Sequence, residues 1–243
     1  MKTAIISGAS RGIGKTTAIS LAKEGYRVII NYLNSQESAD SVCAYIKSQG
    51  GSAIAYRADM ANPAQICEMV NYVKSSFGSV DLVVANAGIG LNKLLIDSSD
   101  EEIRKIVDVN LIGVITLCRE AGKIMLSQKS GNIIALSSMW GQVGGSCESV
   151  YSATKGGIIA FTKAIAKEFS LSGVRVNCVA PGFIDTQINS NLSDDDKQSL
   201  IQEIPLMRAG TCQDVADSIV WLASEKSSYI TGQVICVNGG LII

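Results

Sequence analysis

Tyr151 and Lys155 stand four residues apart in the run YSATKGG. On a helix that spacing projects both side chains from one face into a shared space, where a phenol and an ammonium group make an acid-base pair. Ser138 precedes the tyrosine by 13 residues, Asn110 interrupts the otherwise apolar run VDVNLIGVI, and Asn86-Ala87-Gly88 follows a short apolar segment. The chain has no histidine. That removes Ser/His/Asp and Cys/His catalysis and histidine-ligated zinc together, so proton chemistry falls to tyrosine, lysine, cysteine or carboxylates. Each residue also has an ordinary reading: Tyr151 as packing, Lys155 as a solvated helix cation, Ser138 as a turn residue like Ser137, Asn110 as a satisfied core amide. Their conjunction is what argues for a site.

A second group of residues lies near the N-terminus. The run Ser7-Gly8-Ala9-Ser10-Arg11-Gly12-Ile13-Gly14 has the spacing GxxxGxG, with an apolar run before it and the helical period of KTTAISLAKEG after it. In that context Gly8 permits a tight turn, Gly12 lets the backbone approach a pyrophosphate, and Gly14 allows a helix to pack against the preceding strand. Ser10 and Ile13 share the loop, and the free N–H groups of the helix start face the anion. A glycine-rich turn without a ligand is the plain alternative. About 20 residues further on, where an NAD site places an acid on the ribose hydroxyl, the chain reads Asn31-Tyr32-Leu33-Asn34-Ser35, without a carboxylate. Arg11 can pair with a 2′-phosphate there, Asn34 and Ser35 can donate to it, and Asn31 lies beside them, so the expected cofactor is NADPH/NADP and not NADH. Asp59, with Met60 beside it, is a candidate partner for the adenine amino group. Its other reading, a cap for the helix starting near Pro63, fits poorly at four residues early.

The elements that must position these residues follow from an alternation of short β-branched runs with longer stretches of helical period. Strands are expected at residues 3–7, 26–31, 53–57, 80–85, 132–137, 175–180 and 233–237, with helices between them. Runs such as AIIS, RVII, DLVVA and NIIAL are nearly continuously apolar, as strands covered on both faces are. The expected fold is α/β: one doubly wound, mostly parallel, seven-stranded sheet of Rossmann type, with its crevice beyond the carboxyl ends of the strands. No linker, repeat or low-complexity tract divides the 243 residues, so one dinucleotide-binding and catalytic domain, 1–243, is expected. Residues 183–208 break the rhythm with the acidic patch SDDDK after a candidate N-cap at Ser193, as an inserted substrate lid would, or a solvated surface helix.

Composition narrows the partners. Twenty-one Lys+Arg against 22 Asp+Glu give a net charge of -1, which offers no basic field for nucleic acid. Seven cysteines without CxxC spacing, an odd count, argue against a secreted disulfide framework, and no metal-ligand pattern is present. The N-terminal apolar run is too short for a signal peptide and no stretch approaches the ~18 apolar residues of a membrane span, so a cytoplasmic protein is expected, with no membrane partner. At 47% hydrophobic and 18% charged, the chain has apolar surface to reserve for partner subunits. Ile158, Ile159, Phe161, Ile165 and Phe169 cover more of a helix over residues 151–171 than one sheet contact requires, and the chain ends Gly-Gly-Leu-Ile-Ile.

The GxxxGxG turn, the NAG at 86 to 88, Asn110, Ser138, Tyr151, Lys155 and the PG at 181 to 182 have the order and spacing of the short-chain dehydrogenase/reductases, which the chain resembles over essentially its whole length. Within that family, VRVNCVAPGFIDT and YITGQVICVNGG look most like the 3-oxoacyl-(acyl-carrier-protein) reductases of fatty-acid synthesis. The resemblance implies NADPH-dependent hydride transfer to a ketone. Tyr151 would be the proton donor, Lys155 the cation that lowers the tyrosine pKa and holds the nicotinamide ribose, and Ser138 the donor to the carbonyl oxygen. Asn110 would interrupt its helix and, with a water, join Lys155 to solvent as a proton relay. Asn86, Ala87 and Gly88 would floor the cofactor site; the family often has a second Asn where this chain has Ala85. Pro181 and Gly182 would let backbone approach the carboxamide, with Ile184 and Thr186 following.

Gln142, Val143, Gly144, Ile188 and Leu192 are the expected substrate wall, apolar enough for an acyl chain or a ring. Relatives of this kind present basic residues to an acidic acyl carrier protein. Lys129 matches one such place, and at the other this chain has Ser172, so coenzyme A thioesters or free ketones are further candidates. The family's usual homotetramer, paired through the long helices and last strands, is expected. Other readings are a reductase of small cyclic, sugar or steroid ketones and, from a different class, a catalytically idle NADPH-sensing regulator.

Overall fold

The computed structural model describes residues 1–186 and 193–243. Seven strands, β1 (Thr3–Ile6), β2 (Arg27–Tyr32), β3 (Ser52–Arg57), β4 (Leu82–Ala85), β5 (Gly131–Leu136), β6 (Val174–Pro181) and β7 (Val234–Val237), form one sheet. Its order is β3-β2-β1-β4-β5-β6-β7 and every pairing is parallel. The expected mostly parallel sheet is therefore wholly parallel. Strand order reverses between β1 and β4, and the two loops that leave those strands, carrying the glycine run and the NAG, open the crevice that such a reversal creates.

The strands are apolar throughout because helices cover both faces of the sheet. One face packs α1 (Gly12–Lys23), α2 (Gln36–Ser48) and α9 (Cys212–Ala223) around Ile6, Leu21, Ile30, Leu82 and Ile134. The other packs α3 (Pro63–Phe77), α5 (Gly113–Gln128) and α7 (Ser149–Phe169) around Ile5, Met69, Leu117, Ile133 and Ile158. Short α4 (Asp100–Val107), α6 (Trp140–Val143) and α8 (Asp194–Glu203) complete the chain. Among the described residues, no helix is long and apolar enough to cross a membrane.

Local chemistry sets the boundaries. Asn62 accepts from the amides of Ala64 and Gln65 to start α3, with Pro63 in the first turn and Gly78 ending it at φ 80°. Ser193 caps α8, accepting from the Asp196 amide at 3.1 Å. Residues 7 and 137, expected in strands, are instead the first loop residues after β1 and β5. At the other end of β4, Asp81 leaves the expected strand because its carboxylate accepts the Thr3 amide and the Ser79 hydroxyl, which ties the strand entrance to β1.

Candidate active site

The glycine run becomes the loop from β1 into α1. Gly8 has φ +64°, and a Cβ there would lie 2.9 Å from the Cα of Ala87, so the loop presses against the NAG segment. At Gly14 a Cβ would meet the Asn86 amide nitrogen at 2.7 Å. Gly12, by contrast, has open space beside it. The cap position of α1 is Arg11, and its side chain makes no capping bond. The amides of the first turn therefore stay available at a helix start, as an anion requires.

Two side chains hold this loop. Asn31, 1% exposed, accepts the Gly8 amide at 3.1 Å and donates to the Ala58 carbonyl at 2.9 Å. Its polar groups are thus directed to backbone, and its place among the expected cofactor residues is that of a clamp. Asn86 likewise donates to the carbonyls of Ser7 and Gly8 at 2.9 and 3.2 Å. Ser7, unnoticed in the sequence, accepts the amides of Asn86 and Ala87 at 3.0 and 2.9 Å. A serine closing an apolar strand is its only sequence signal.

A cleft of 710 Å³ opens along these loops, within the range of small-molecule and cofactor sites. Gly8, Ser10, Arg11, Gly12, Ile13, Asn31, Asn34, Ser35, Asp59 and Met60 line it, together with Asn86, Ala87, Gly88, Ser138, Tyr151, Lys155, Pro181, Gly182, Ile184 and Thr186. Ser35 precedes α2 without capping it, which leaves its hydroxyl for other use. Asp59 does not cap α3 either; its carboxylate accepts the Ala61 amide at 2.8 Å while Asn62 serves as the cap. An uncapped helix start, a glycine with open space and a cleft of this volume fit a dinucleotide.

Gly14 lies behind the loop and not on the cleft wall, and so does Asn110. Gln142, Val143 and Gly144 are exposed in and after α6 and are not among its lining residues; Gln142 pairs instead with the thiol of Cys236. The wall there is built by Met139 and Trp140, which precede them, and by Phe183 across the cleft. Ile188 and Leu192 lie outside the described residues. At Gly182 a Cβ would lie 2.6 Å from that of Asn238, so packing against the chain after β7 already requires glycine at this position.

Tyr151 and Lys155 occupy the first two turns of α7 on one side, with the Lys155 nitrogen 5.6 Å from the centre of the tyrosine ring. Two glycines follow Lys155 in a helix interior, an unfavourable choice by propensity. Packing explains them: a Cβ at Gly157 would lie 3.2 Å from the Leu111 side chain, and one at Gly156 3.3 Å from the Gly141 carbonyl. Ser137 donates to the Lys155 carbonyl at 2.8 Å and so fixes α7 to the end of β5. Ser138, one residue on, accepts the Trp140 amide at 3.2 Å and stands close enough to Tyr151 to oppose the effect of burial on the phenol.

Asn110 does interrupt its helix. Residues Asp108–Ile112 form a π turn between α4 and α5. The Asn110 side chain accepts the Ile89 amide and donates to the Ile89 carbonyl, both at 2.8 Å. Its amide is thereby committed, and a part in a proton relay would fall to its main chain. A Cβ at Gly88 would stand 3.4 Å from the Asn110 oxygen and 3.5 Å from the Lys155 nitrogen, so the three meet at one point.

The electrostatics differ from the expectation that Lys155 acidifies the tyrosine. Burial pushes Tyr151 up to about 12; the Ser138 hydroxyl opposes this and Glu148 adds to it. Burial brings Lys155 down to about 8. The reason is geometric: the ammonium donates to the Leu136 carbonyl at 2.8 Å and not to the phenol, so loss of water outweighs its attraction. The phenol is then a group that holds its proton until an oxyanion forms beside it. Perturbed neighbours of opposite type in one cleft mark a functional site.

Comparison with known proteins agrees with this arrangement. A family model described as enoyl-(acyl carrier protein) reductase matches residues 8–242. The 3-oxoacyl-[acyl-carrier-protein] reductase FabG of Staphylococcus aureus is 44% identical over 240 residues, 99% of this chain and 98% of its own length. The 3-oxoacyl-[acyl-carrier-protein] reductase of Synechocystis is 42% identical over 100% of this chain and 97% of its own, and FabG of Escherichia coli is 36% identical over 99% and 97%. A parallel sheet in this order, a glycine loop at the reversal of strand order, a tyrosine and lysine on one helix turn, and full-length likeness to such reductases all lead to one assignment: the chain belongs to the short-chain dehydrogenase/reductase family.

Proposed function

We propose that the chain is an NADPH-dependent reductase of 3-oxoacyl thioesters, carried by an acyl carrier protein or coenzyme A, giving the 3-hydroxyacyl product in fatty-acid synthesis. The observation that carries it is the convergence of Ser138 and Tyr151 on one cleft wall beside Lys155. Two hydroxyl donors meeting at a point suit a carbonyl oxygen, which becomes an alkoxide as it is reduced. In an enoyl thioester, the substrate named by the family model's description, the charge develops instead on the thioester oxygen, two carbons away from the carbon that takes the hydride. The full-length relatives named for 3-oxoacyl substrates support the same choice.

The dinucleotide, when bound, supplies hydride to the carbonyl carbon. The protein's residues do the rest. Ser138, with its oxygen held by the Trp140 amide, donates to the substrate oxygen; Tyr151, protonated well above neutral pH, transfers its proton to that oxygen as charge develops. Lys155, a charged group below about 8, is held by the Leu136 carbonyl and offers its remaining donors to the nicotinamide ribose. Arg11, Asn34 and Ser35 at the far end favour the 2′-phosphate. A kcat/KM that favours NADH would refute this cofactor preference.

The segment 183–208, with α8 at its centre, is read as a lid over the substrate end. Half-buried Ile159, Phe161 and Phe169 on α7 and the half-exposed residues of β7 support a homotetramer paired through those elements. Seven unbridged cysteines accord with a reducing, cytoplasmic setting. Lys129, exposed at the end of α5, lies beside the turn that holds Ser172, since a Cβ at Gly173 would be 3.0 Å from the Lys129 carbonyl. That turn is at the amino ends of β5 and β6, away from the cleft at their carboxyl ends, so Lys129 does not mark the cleft entrance of this chain. The test is oxidation of NADPH by the purified protein with an acetoacetyl thioester, a cyclic ketone and a keto-sugar. Turnover of the thioester at the highest kcat/KM is expected, and preference for either other ketone would overturn the substrate assignment.

A further inference from the structure

Glu148 is a cleft residue that neither dinucleotide binding nor proton delivery accounts for. It holds the N-cap position of α7, where its side chain caps nothing, and it lines the cleft three residues before Tyr151. Among the described residues its carboxylate has no hydrogen-bond or ion-pair partner, and burial alone acts on it. No neighbouring cation pairs with it. Lys93, whose amide donates to the Cys147 carbonyl at 2.6 Å, places its ammonium on Glu102 at 3.0 and 3.1 Å. Lys155 directs its own to Leu136. Lys105 also lines the cleft and likewise makes no pair with Glu148.

A half-buried carboxylate without a partner is unfavourable for folding, so its charge projects into the one volume left to it. That volume is where a ketone must enter to reach Ser138 and Tyr151, and the charge is close enough to be felt at the phenol. We infer that Glu148 is a specificity-determining residue that excludes anionic ketones, so that neutral 3-oxoacyl thioesters are selected over free 3-oxo acids. The inference rests on the carbonyl-reduction reading above. In a free 3-oxo acid the carboxylate stands two carbons from the reacting carbonyl, within about 5 Å of it. Reduction would then bring two negative charges together in one cleft, and a third develops on the carbonyl oxygen in the transition state. In the thioester the same position is uncharged.

The test compares kcat/KM for acetoacetyl N-acetylcysteamine and for acetoacetate, with saturating NADPH at about pH 8, in the wild type and in Glu148→Gln. The wild type should prefer the thioester strongly, and Glu148→Gln should narrow that preference about tenfold, chiefly through acetoacetate. Glu148→Lys should narrow it further, and circular dichroism and NADPH binding establish that each variant is folded. A wild type that turns over the thioester with a preference unaltered in both variants overturns this inference alone. A wild type that turns over neither compound overturns the reductase reading and this inference with it.

Discussion

Replacing Lys155 by methionine should abolish turnover and yet make the protein more stable at neutral pH. Lys155 is 4% exposed, and burial moves its ammonium from its ordinary 10.5 to about 8. At about 1.4 kcal/mol per pH unit, holding this charge inside the folded chain at pH 7 costs on the order of 3 kcal/mol. Methionine fills a similar volume without charge. The substitution also leaves the Leu136 carbonyl without its 2.8 Å donor, which takes back about 1 kcal/mol. The net gain is about 2 kcal/mol, or about 4–8 °C in Tm for a chain of this length.

The pH dependence carries the argument further. Above about 8 native Lys155 has lost its proton, while the unfolded chain keeps it until its ordinary 10.5. The unfolded state then binds more protons, so wild-type stability rises with pH across that window, and the advantage of methionine shrinks and then reverses to a deficit of about 1 kcal/mol, the lost Leu136 bond. Urea denaturation of both proteins, at equal concentration and at several pH values on each side of 8, measures this. A methionine variant less stable at pH 7, or one whose gain does not change between pH 7 and 10, would refute the account.

The other predictions are simpler. Tyr151→Phe should lower kcat by at least about 10²-fold with NADPH binding nearly intact, since only the proton donor is lost; retention of a tenth of the wild-type kcat excludes the role. Reduction should decline as pH rises through about 8, where Lys155 loses its charge, well before Tyr151 titrates at about 12, and a rate that stays constant from pH 7 to pH 10 would contradict this. Asn31→Ala removes the bonds to Gly8 and Ala58 inside the fold, and should cost about 2–3 kcal/mol in urea denaturation and weaken NADPH binding in fluorescence titration, because the glycine loop loses its clamp.

What the sequence by itself determined is the part written in local patterns. Apolar runs alternating with helical periods specify a parallel sheet because strands covered on both faces have no polar side to display. The spacing of Tyr151 and Lys155 places them on one helical side, and the GxxxGxG run places a tight turn at a helix start, whatever surrounds them. Tertiary structure decided what depends on distant partners. Asn31 and Asn86 read as cofactor-site residues, but backbone groups of the loops after β1 and β3 engage their side chains. Ser7 and Ser137 read as strand ends, yet their hydroxyls bind backbone 79 to 80 and 18 residues away. Lys155 reads as the group that acidifies its neighbour. Only the packed structure reveals that its ammonium turns to Leu136 and that burial governs both residues, because the cost of removing water from a charge depends on everything folded around it.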